Sequence, residues 1–387
     1  MHQIKTAYTA AKIADKLGFS RPRKRDLVYA ALLHDVGALS PEEKSELHSA
    51  DPGQIQRHTR RGRIVLSRVP LLERCSVLIE RHHERWSSLR RPTESEGFDA
   101  NIIALADSLE LSISRGIYIL FQSGPVRRAL YDRRGSDFAP EVVDAFMEVS
   151  VPEEFWFEFA SPSLPSDFAG DGKLVDYRCS ISEFAPISTL VRDIIDFRST
   201  FTATHSSGVA ASVGVAGKLL GFSDEDCLAL TIAGNLHDIG KMAIPSAILN
   251  KPGPLDRNEE TIIRQHPYLT SCILTRAGVP VDIVEWAAWH HERLDGSGYP
   301  RRAQAIDIRL GSRIMMVMDV FTALAEERPY RPAMKPDAVR DILRAQAADG
   351  KLEPSIVELV SDSHAEINQA MREAQTKAAD FYREKLG

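Results

Sequence analysis

The chain has 387 residues, is 43% hydrophobic and 26% charged, and carries a net charge of −6. That length gives room for two or more folded domains, and the acidic balance argues against a polymeric nucleic acid as partner. Four scattered cysteines without a CxxC pair exclude a zinc ribbon and a disulfide framework.

The start, "MHQIKTAYTAAKIADKLGF", lacks the apolar core of a signal peptide. No apolar run approaches the roughly 18 residues of a membrane span. The expectation is a cytoplasmic chain without membrane contact.

In chain order, the opening segment and "LVYAALLHDVGAL" read as a helix pair bearing His2, His34 and Asp35. His58 follows, then His82 and His83 in "HHERWSSLRRPTESEGF", then Asp107 in the helical "NIIALADSLELSI". Residues 150–187 mix Pro, Ser, Gly and aromatics without a helical period. They read as an irregular linker with room for a short hairpin.

Beyond it, "THSSGVAASVGVAGKLLGFS" and "SDEDCLALTIAGNLHDIG" form a second helix pair. Ser223 and Asp226 resemble a capping box, and Leu228, Ile232 and Leu236 follow at helical spacing. "RIMMVMDVFTALAEE" is also helical, and the tail after Glu353 is an amphipathic helix suited to packing or a dimer surface. Alternating β-branched runs are scarce. The predicted fold is all-α, with domains at 1–149 and 188–387 and a linker at 150–187.

The two halves repeat each other. One offset separates His2 from His205 and His34 from His237. With small insertions, His58 pairs with His266, His82-His83 with His290-His291, and Asp107 with Asp319. Among 12 histidines only His48 and His364 fall outside these sets.

The second set comprises His205, His237, Asp238, His266, His290, His291 and Asp319. Imidazoles mixed with carboxylates are the ligand chemistry of iron, manganese or zinc, not of calcium. Helical neighbours point about 100° apart, so adjacent residues such as His237-Asp238 and His290-His291 can serve different ions of a small cluster. Asp319, amid apolar neighbours, wants a cation. The set can therefore surround a small cluster of divalent transition metals. Lys241 follows Asp238 by three residues and shares its face if the helix persists.

"HDIGK", "HHERLDGSGYP" and "DVFTALAEERPYRPAM" together resemble the HD-GYP family, a branch of the HD phosphohydrolases, over roughly residues 188 to 360. The resemblance implies an all-helical enzyme with two or three metals, iron favoured and manganese or another metal as options. It implies hydrolysis of cyclic di-GMP, and similar tandem chains resemble hydrolases of 3′,3′-cyclic GMP-AMP. Asp238 and Lys241 are then catalytic, the lysine stabilising the phosphorane or protonating the leaving oxygen.

Arg328 and Arg331 present forks suited to phosphate oxygens. Gly296, Gly298, Tyr299 and Pro300 form the ligand-wrapping loop, with Tyr299 on or beside a guanine base. Asp295 braces the loop or a ligating histidine. Family members with a third metal carry an acid one turn before the first histidine. Phe201 stands there, and Asp196 is too far upstream on a continuous helix, which favours two metals.

The first copy keeps seven candidate ligands (His2, His34, Asp35, His58, His82, His83, Asp107) as a vestigial metal site. It replaces the lysine by Ala38 and lacks GYP and RPYR. It reads as a degenerate HD domain for sensing or packing. Beside the cyclic dinucleotide, a homodimer or a partner signalling protein is an expected partner; the competing readings are a non-catalytic HD-type signalling or binding module and an HD phosphohydrolase of other nucleotides.

Overall fold

The computed structural model describes residues 1–38, 43, 52–88, 96–165, 179–196, 204–251, 253–327 and 332–386. They fall into two units, Met1–Arg178 and Cys179–Gly387. Among the described residues there is no β-strand, and pairing is confined to isolated bridges, Arg134–Phe138 and Asp295–Gln304. Among the same residues no helix is long and apolar enough to cross a membrane.

In the first unit, α1 (His2–Lys16) packs on α2 (Arg21–Leu33), and α3 (Pro52–Leu66) on α4 (Glu73–Arg81). The apolar α5 (Glu96–Leu111) lies against α1, α2 and α4. Ile13, Leu27, Leu78 and Ile102 are fully buried between these helices. α6 (Ile119–Tyr131) and α7 (Pro140–Val149) follow.

The stretch read as an irregular linker holds helix. α8 (Glu153–Ala160) begins after Pro152 with two acids in its first turn, which the helix dipole favours. Phe155, Trp156 and Phe159 fall on one face and are buried. Trp156 Nε1 donates to the Ser150 carbonyl at 2.9 Å. The aromatics that looked like loop residues are the reason this segment is a helix: their side chains complete the first unit's core. No hairpin forms in the described part of 150–187, and 166–178 lies outside the described residues.

In the second unit, α9 (Ile181–Asp196), α10 (His205–Leu219) and α11 (Asp224–Leu236) lead into α12 (Arg257–Ile263) and α13 (His266–Arg276). Then come α14 (Val281–Ala288), α15 (Leu310–Ala325), α16 (Pro336–Ala348), α17 (Pro354–Asp362) and α18 (His364–Phe381). The Ser223 side chain caps α11 by accepting from the Asp226 N–H at 3.1 Å. Small residues let α10 and α11 approach: a Cβ on Gly234 would stand 2.7 Å from Ala210 Cα. α10 also packs on α15 and α18, around Ile232, Leu236, Met318 and Phe321.

Candidate metal centre

A helix ends with carbonyls that have no partner inside it. The second unit uses these ends to hold imidazoles. His237 caps α11, and its Nδ1 bonds the Gly234 carbonyl at 2.7 Å. His290 Nδ1 meets the Ala287 carbonyl of α14 at 2.7 Å, and His266 Nδ1 meets the Ile263 carbonyl of α12 at 2.8 Å. A carbonyl only accepts, so each Nδ1 carries the proton and each Nε2 offers a lone pair. Those lone pairs converge: the Nε2 atoms of His266 and His290 are 3.1 Å apart.

His205, at the start of α10, is held differently. Its Nδ1 lies 3.1 Å from both oxygens of the buried Glu326, and its Nε2 lies 3.1 Å from Asp319 Oδ1. The sequence reading missed Glu326.

The two ligand acids lie between two groups of histidines. Asp238 Oδ2 is 3.3 Å from His237 Nε2, and its Oδ1 is 3.3 Å from His266 Nε2. Asp319 turns Oδ1 to His205 and Oδ2 to His291 Nδ1, the latter at 3.7 Å. Ligand atoms of His205, His237 and Asp238 all lie within 4.8 Å of one another, as do those of His266, His290 and His291. All seven sequence candidates of the second copy therefore meet in one place.

Charge follows the geometry. Burial would raise the Asp238 carboxyl, but His237, Lys241 and His266 hold it well below the usual carboxylate range. Burial would likewise raise Asp319, and His205 and His291 hold it low. Burial pushes His266 down to about 3 and His291 to about 4, against the pull of nearby aspartates. Burial and the neighbouring His291 also lower His290. These three are neutral imidazoles, the form that binds metals, whereas against burial the Glu326 and Asp319 carboxylates raise His205 to about 10 and Asp238 raises His237.

Asp238 Oδ1 is buried and accepts no hydrogen bond. A bare carboxylate oxygen in that position is costly without a cation. With the His-and-carboxylate donor set, it shows that these residues fit a divalent transition metal.

Lys241 lies beyond the end of α11, in the 3₁₀ turn Ile239–Ala243, and its Nζ donates to Asp238 Oδ2 at 2.6 Å. That turn sits tight on α13: a Cβ on Gly240 would stand 2.0 Å from the His266 carbonyl oxygen. Thr270 ties the two together, donating to the His237 carbonyl at 2.8 Å and accepting from the Gly240 N–H at 3.1 Å.

The loop after His291 is clasped by Glu292. This buried carboxylate accepts from the Arg301 N–H at 2.7 Å and the Ala303 N–H at 3.0 Å. Asp295 is exposed and bonds Ser297, through the N–H at 2.9 Å and the hydroxyl at 2.7 Å, not a histidine. The acid that anchors the loop to the histidine pair is thus Glu292.

Gly296 has φ +75°, a conformation that favours glycine. Gly298 is buried, where a Cβ would stand 2.4 Å from the Arg293 nitrogen. Tyr299 packs on His291 with centroids 4.9 Å apart and has the Arg264 guanidinium 4.5 Å from its ring centre. Its neighbours are a candidate ligand histidine and a cation. Pro300, exposed, follows a cis bond from Tyr299. A cavity of about 380 Å³ opens here, lined by His290, His291, Tyr299 and Asp319 among others.

Arg328, Arg331 and Phe201 lie outside the described residues. Asp196 is the last described residue of α9, residues 197–203 lie outside the described residues, and α10 begins anew at His205 after the non-helical backbone of Thr204 (φ −135°). Asp196 is buried, and its Oδ1 accepts from the Ser206 hydroxyl at 2.6 Å. Burial pushes its carboxyl up to about 7.

In the first unit, His2, His34 and Asp107 offer ligand atoms within 4.8 Å of one another, as do His58, His82 and His83. Asp35 Oδ2 lies 3.4 Å from His34 Nε2 and 3.6 Å from His2 Nε2.

Comparison with known proteins gives two matches to the HD domain family, over residues 1–112 and 189–356. The chain is similar to 3'3'-cGAMP-specific phosphodiesterase 1 of Vibrio cholerae, 31% identical across 93% of this chain and 86% of that one. It is also similar to a cyclic di-GMP phosphodiesterase response regulator of Xanthomonas campestris, 34% identical over 50% of this chain and 51% of that one. A crystal structure of a cyclic GMP-AMP-specific phosphodiesterase from Vibrio cholerae has the same fold. It gives a TM-score of 0.58 at 23% identity, covering 97% of this chain and 92% of that one.

Proposed function

Because this chain belongs to the HD-GYP family of cyclic dinucleotide phosphodiesterases, with two HD domains in tandem, we propose that its second unit opens 3′,3′-cyclic GMP-AMP to the linear dinucleotide. The observation that carries the reading is Asp238: one oxygen faces His237, the other His266, and Lys241 bonds the first.

His205, His237, Asp238, His266, His290, His291 and Asp319 would hold two divalent cations, iron first among the candidates. When bound, such a pair supplies a nucleophilic water at neutral pH and neutralises phosphodiester charge. The reaction adds one water and breaks one phosphorus–oxygen bond, and the leaving alkoxide takes up a proton. The Lys241 ammonium beside Asp238 Oδ2 provides that proton or bonds a phosphoryl oxygen.

Glu292 keeps the 296–300 loop seated beside His291, and Tyr299 walls the cavity where the ligand's base enters. Arg328 and Arg331 complete the reading as phosphate forks. The catalytic domain is taken as 188–387. Four free cysteines, with Cys179 exposed, are in keeping with a reducing cytoplasm.

The choice of cyclic GMP-AMP rests on the relative that matches across both HD domains. Cyclic di-GMP is the second reading, because a relative matching half the chain carries that name. Anaerobically purified, metal-loaded protein assayed on both substrates decides. Higher kcat/KM for cyclic GMP-AMP is expected. Preference for cyclic di-GMP reverses the assignment, and turnover of neither removes it.

A further inference from the structure

We infer that Thr270 is a positioning residue for Lys241, fixing the backbone turn from which the lysine reaches Asp238. The inference rests on the catalytic reading of Lys241 and adds to it a group from another helix.

His237 closes α11 in helical conformation, Asp238 departs from it at φ −97°, and the 3₁₀ turn Ile239–Ala243 follows. The last carbonyls of a helix lack partners within it, and that of His237 accepts from the Thr270 hydroxyl at 2.8 Å. The same hydroxyl oxygen accepts from the Gly240 N–H at 3.1 Å. Donating once and accepting once, it holds the chain on both sides of Asp238, one residue before Lys241. Thr270 is fully buried, so solvent does not compete for either bond.

A threonine inside a helix ordinarily turns its hydroxyl to the carbonyl four residues back. Thr231 does so to Cys227 at 2.9 Å, and Thr261 to Arg257 at 2.7 Å. Thr270, inside α13, sends its proton across to the end of α11. The carbonyl four residues behind it belongs to His266, and a Cβ on Gly240 would stand 2.0 Å from that oxygen. One face of α13 therefore brings a candidate ligand and the hydroxyl to the turn together.

The first unit separates this role from folding. His58 matches His266, so Gly62 stands where Thr270 stands, and Ala38 stands where Lys241 stands. The turn keeps its shape there: the Ala38 N–H bonds the Asp35 carbonyl at 3.0 Å, as the Lys241 N–H bonds the Asp238 carbonyl at 2.9 Å. The close approach is kept as well, since a Cβ on Gly37 would stand 1.9 Å from the His58 carbonyl oxygen. Turn and contact form without a hydroxyl. The threonine is missing from the copy that is also missing the lysine, so the hydroxyl goes with the lysine and not with the fold.

The lysine ammonium sits on a flexible four-carbon stem. Its 2.6 Å bond from Nζ to Asp238 Oδ2 depends on where the backbone starts that stem. Misplacing a catalytic group by about 1 Å is enough to cost about a hundredfold in rate.

The test uses the full, metal-loaded chain on 3′,3′-cyclic GMP-AMP. Thr270→Val keeps the branched shape and removes both hydrogen bonds, whereas Thr270→Ser keeps the hydroxyl. With the count of bound ions unchanged, kcat is expected to fall by about tenfold or more in Thr270→Val and to recover in Thr270→Ser. In a Lys241→Met background, Thr270→Val is expected to add no further loss, because the group it positions is gone. Wild-type kcat in Thr270→Val, no recovery with serine, or losses that multiply in the double variant overturn the inference. Should Thr270→Val lose its helical circular dichroism or its ions, Thr270→Ala replaces it under the same criteria, and loss of ions from both overturns the inference.

Failure of the underlying reading shows separately, as wild-type kcat in Lys241→Met alone. Crystal structures of the valine and serine variants give a readout that needs no turnover. Nζ is expected away from Asp238 in the first and beside it in the second. An undisturbed Lys241 in Thr270→Val overturns the positioning role whatever the rate.

Discussion

Behind His205, the Glu326 carboxylate meets Nδ1 with both oxygens and accepts a further hydrogen bond from Gln375 of α18 at 3.1 Å. It fixes which nitrogen faces the metals. Glu326→Ala is expected to weaken metal binding by about 10–100-fold, the usual cost of losing such support, as read by chelator competition. Unchanged affinity would refute that role.

Lys241 is a separate case, since it bonds Asp238 and is not among the candidate metal ligands. Lys241→Met keeps length and removes charge. The ion count should hold while kcat drops by about a hundredfold, the order lost with one transition-state donor. Loss of metal instead would make the lysine a structural brace. The candidate ligands are legible in the sequence, because histidines and acids recur in two ordered sets. Glu326, Glu292 and Thr270 are not: their partners are backbone groups or distant side chains, and no spacing in the chain announces them.

At the scale of elements, the histidine pair and the glycine loop form one unit through Glu292, which accepts from two backbone N–H groups past Pro300. Glu292→Ala would leave the buried Ala303 N–H unpaired. The expected cost is about 1–3 kcal/mol of stability, seen as a lower denaturant midpoint, with a raised KM as the loop loosens. A variant with wild-type midpoint and KM would contradict this.

Helices with a clear apolar period, such as α11 and α15, are legible. α8 is not, because its period is carried by aromatics beside prolines and serines, and burial against the first unit decides the matter. The new helix start at His205 is also hidden. A continuous helix keeps Asp196 away from the site, whereas two helices bring it to Ser206.

Over the whole molecule, duplication explains why His34 and His82 cap helices as His237 does and why two sets of seven candidate ligands recur in order, and the equal offset of the histidines exposes it in the sequence alone. What the offset does not reveal is which copy works. That depends on the lysine at Asp238, the clasped loop and the joining of two histidine groups by one carboxylate. Anomalous diffraction at the iron edge, from crystals of the iron-loaded full chain, tests that joining most directly. The expected result is two peaks in the second unit, each about 2.0–2.2 Å from an Asp238 oxygen, the range for metal–carboxylate bonds. A single peak away from Asp238, or none among His237, His266, His290 and Asp319, would contradict the mechanism at its root.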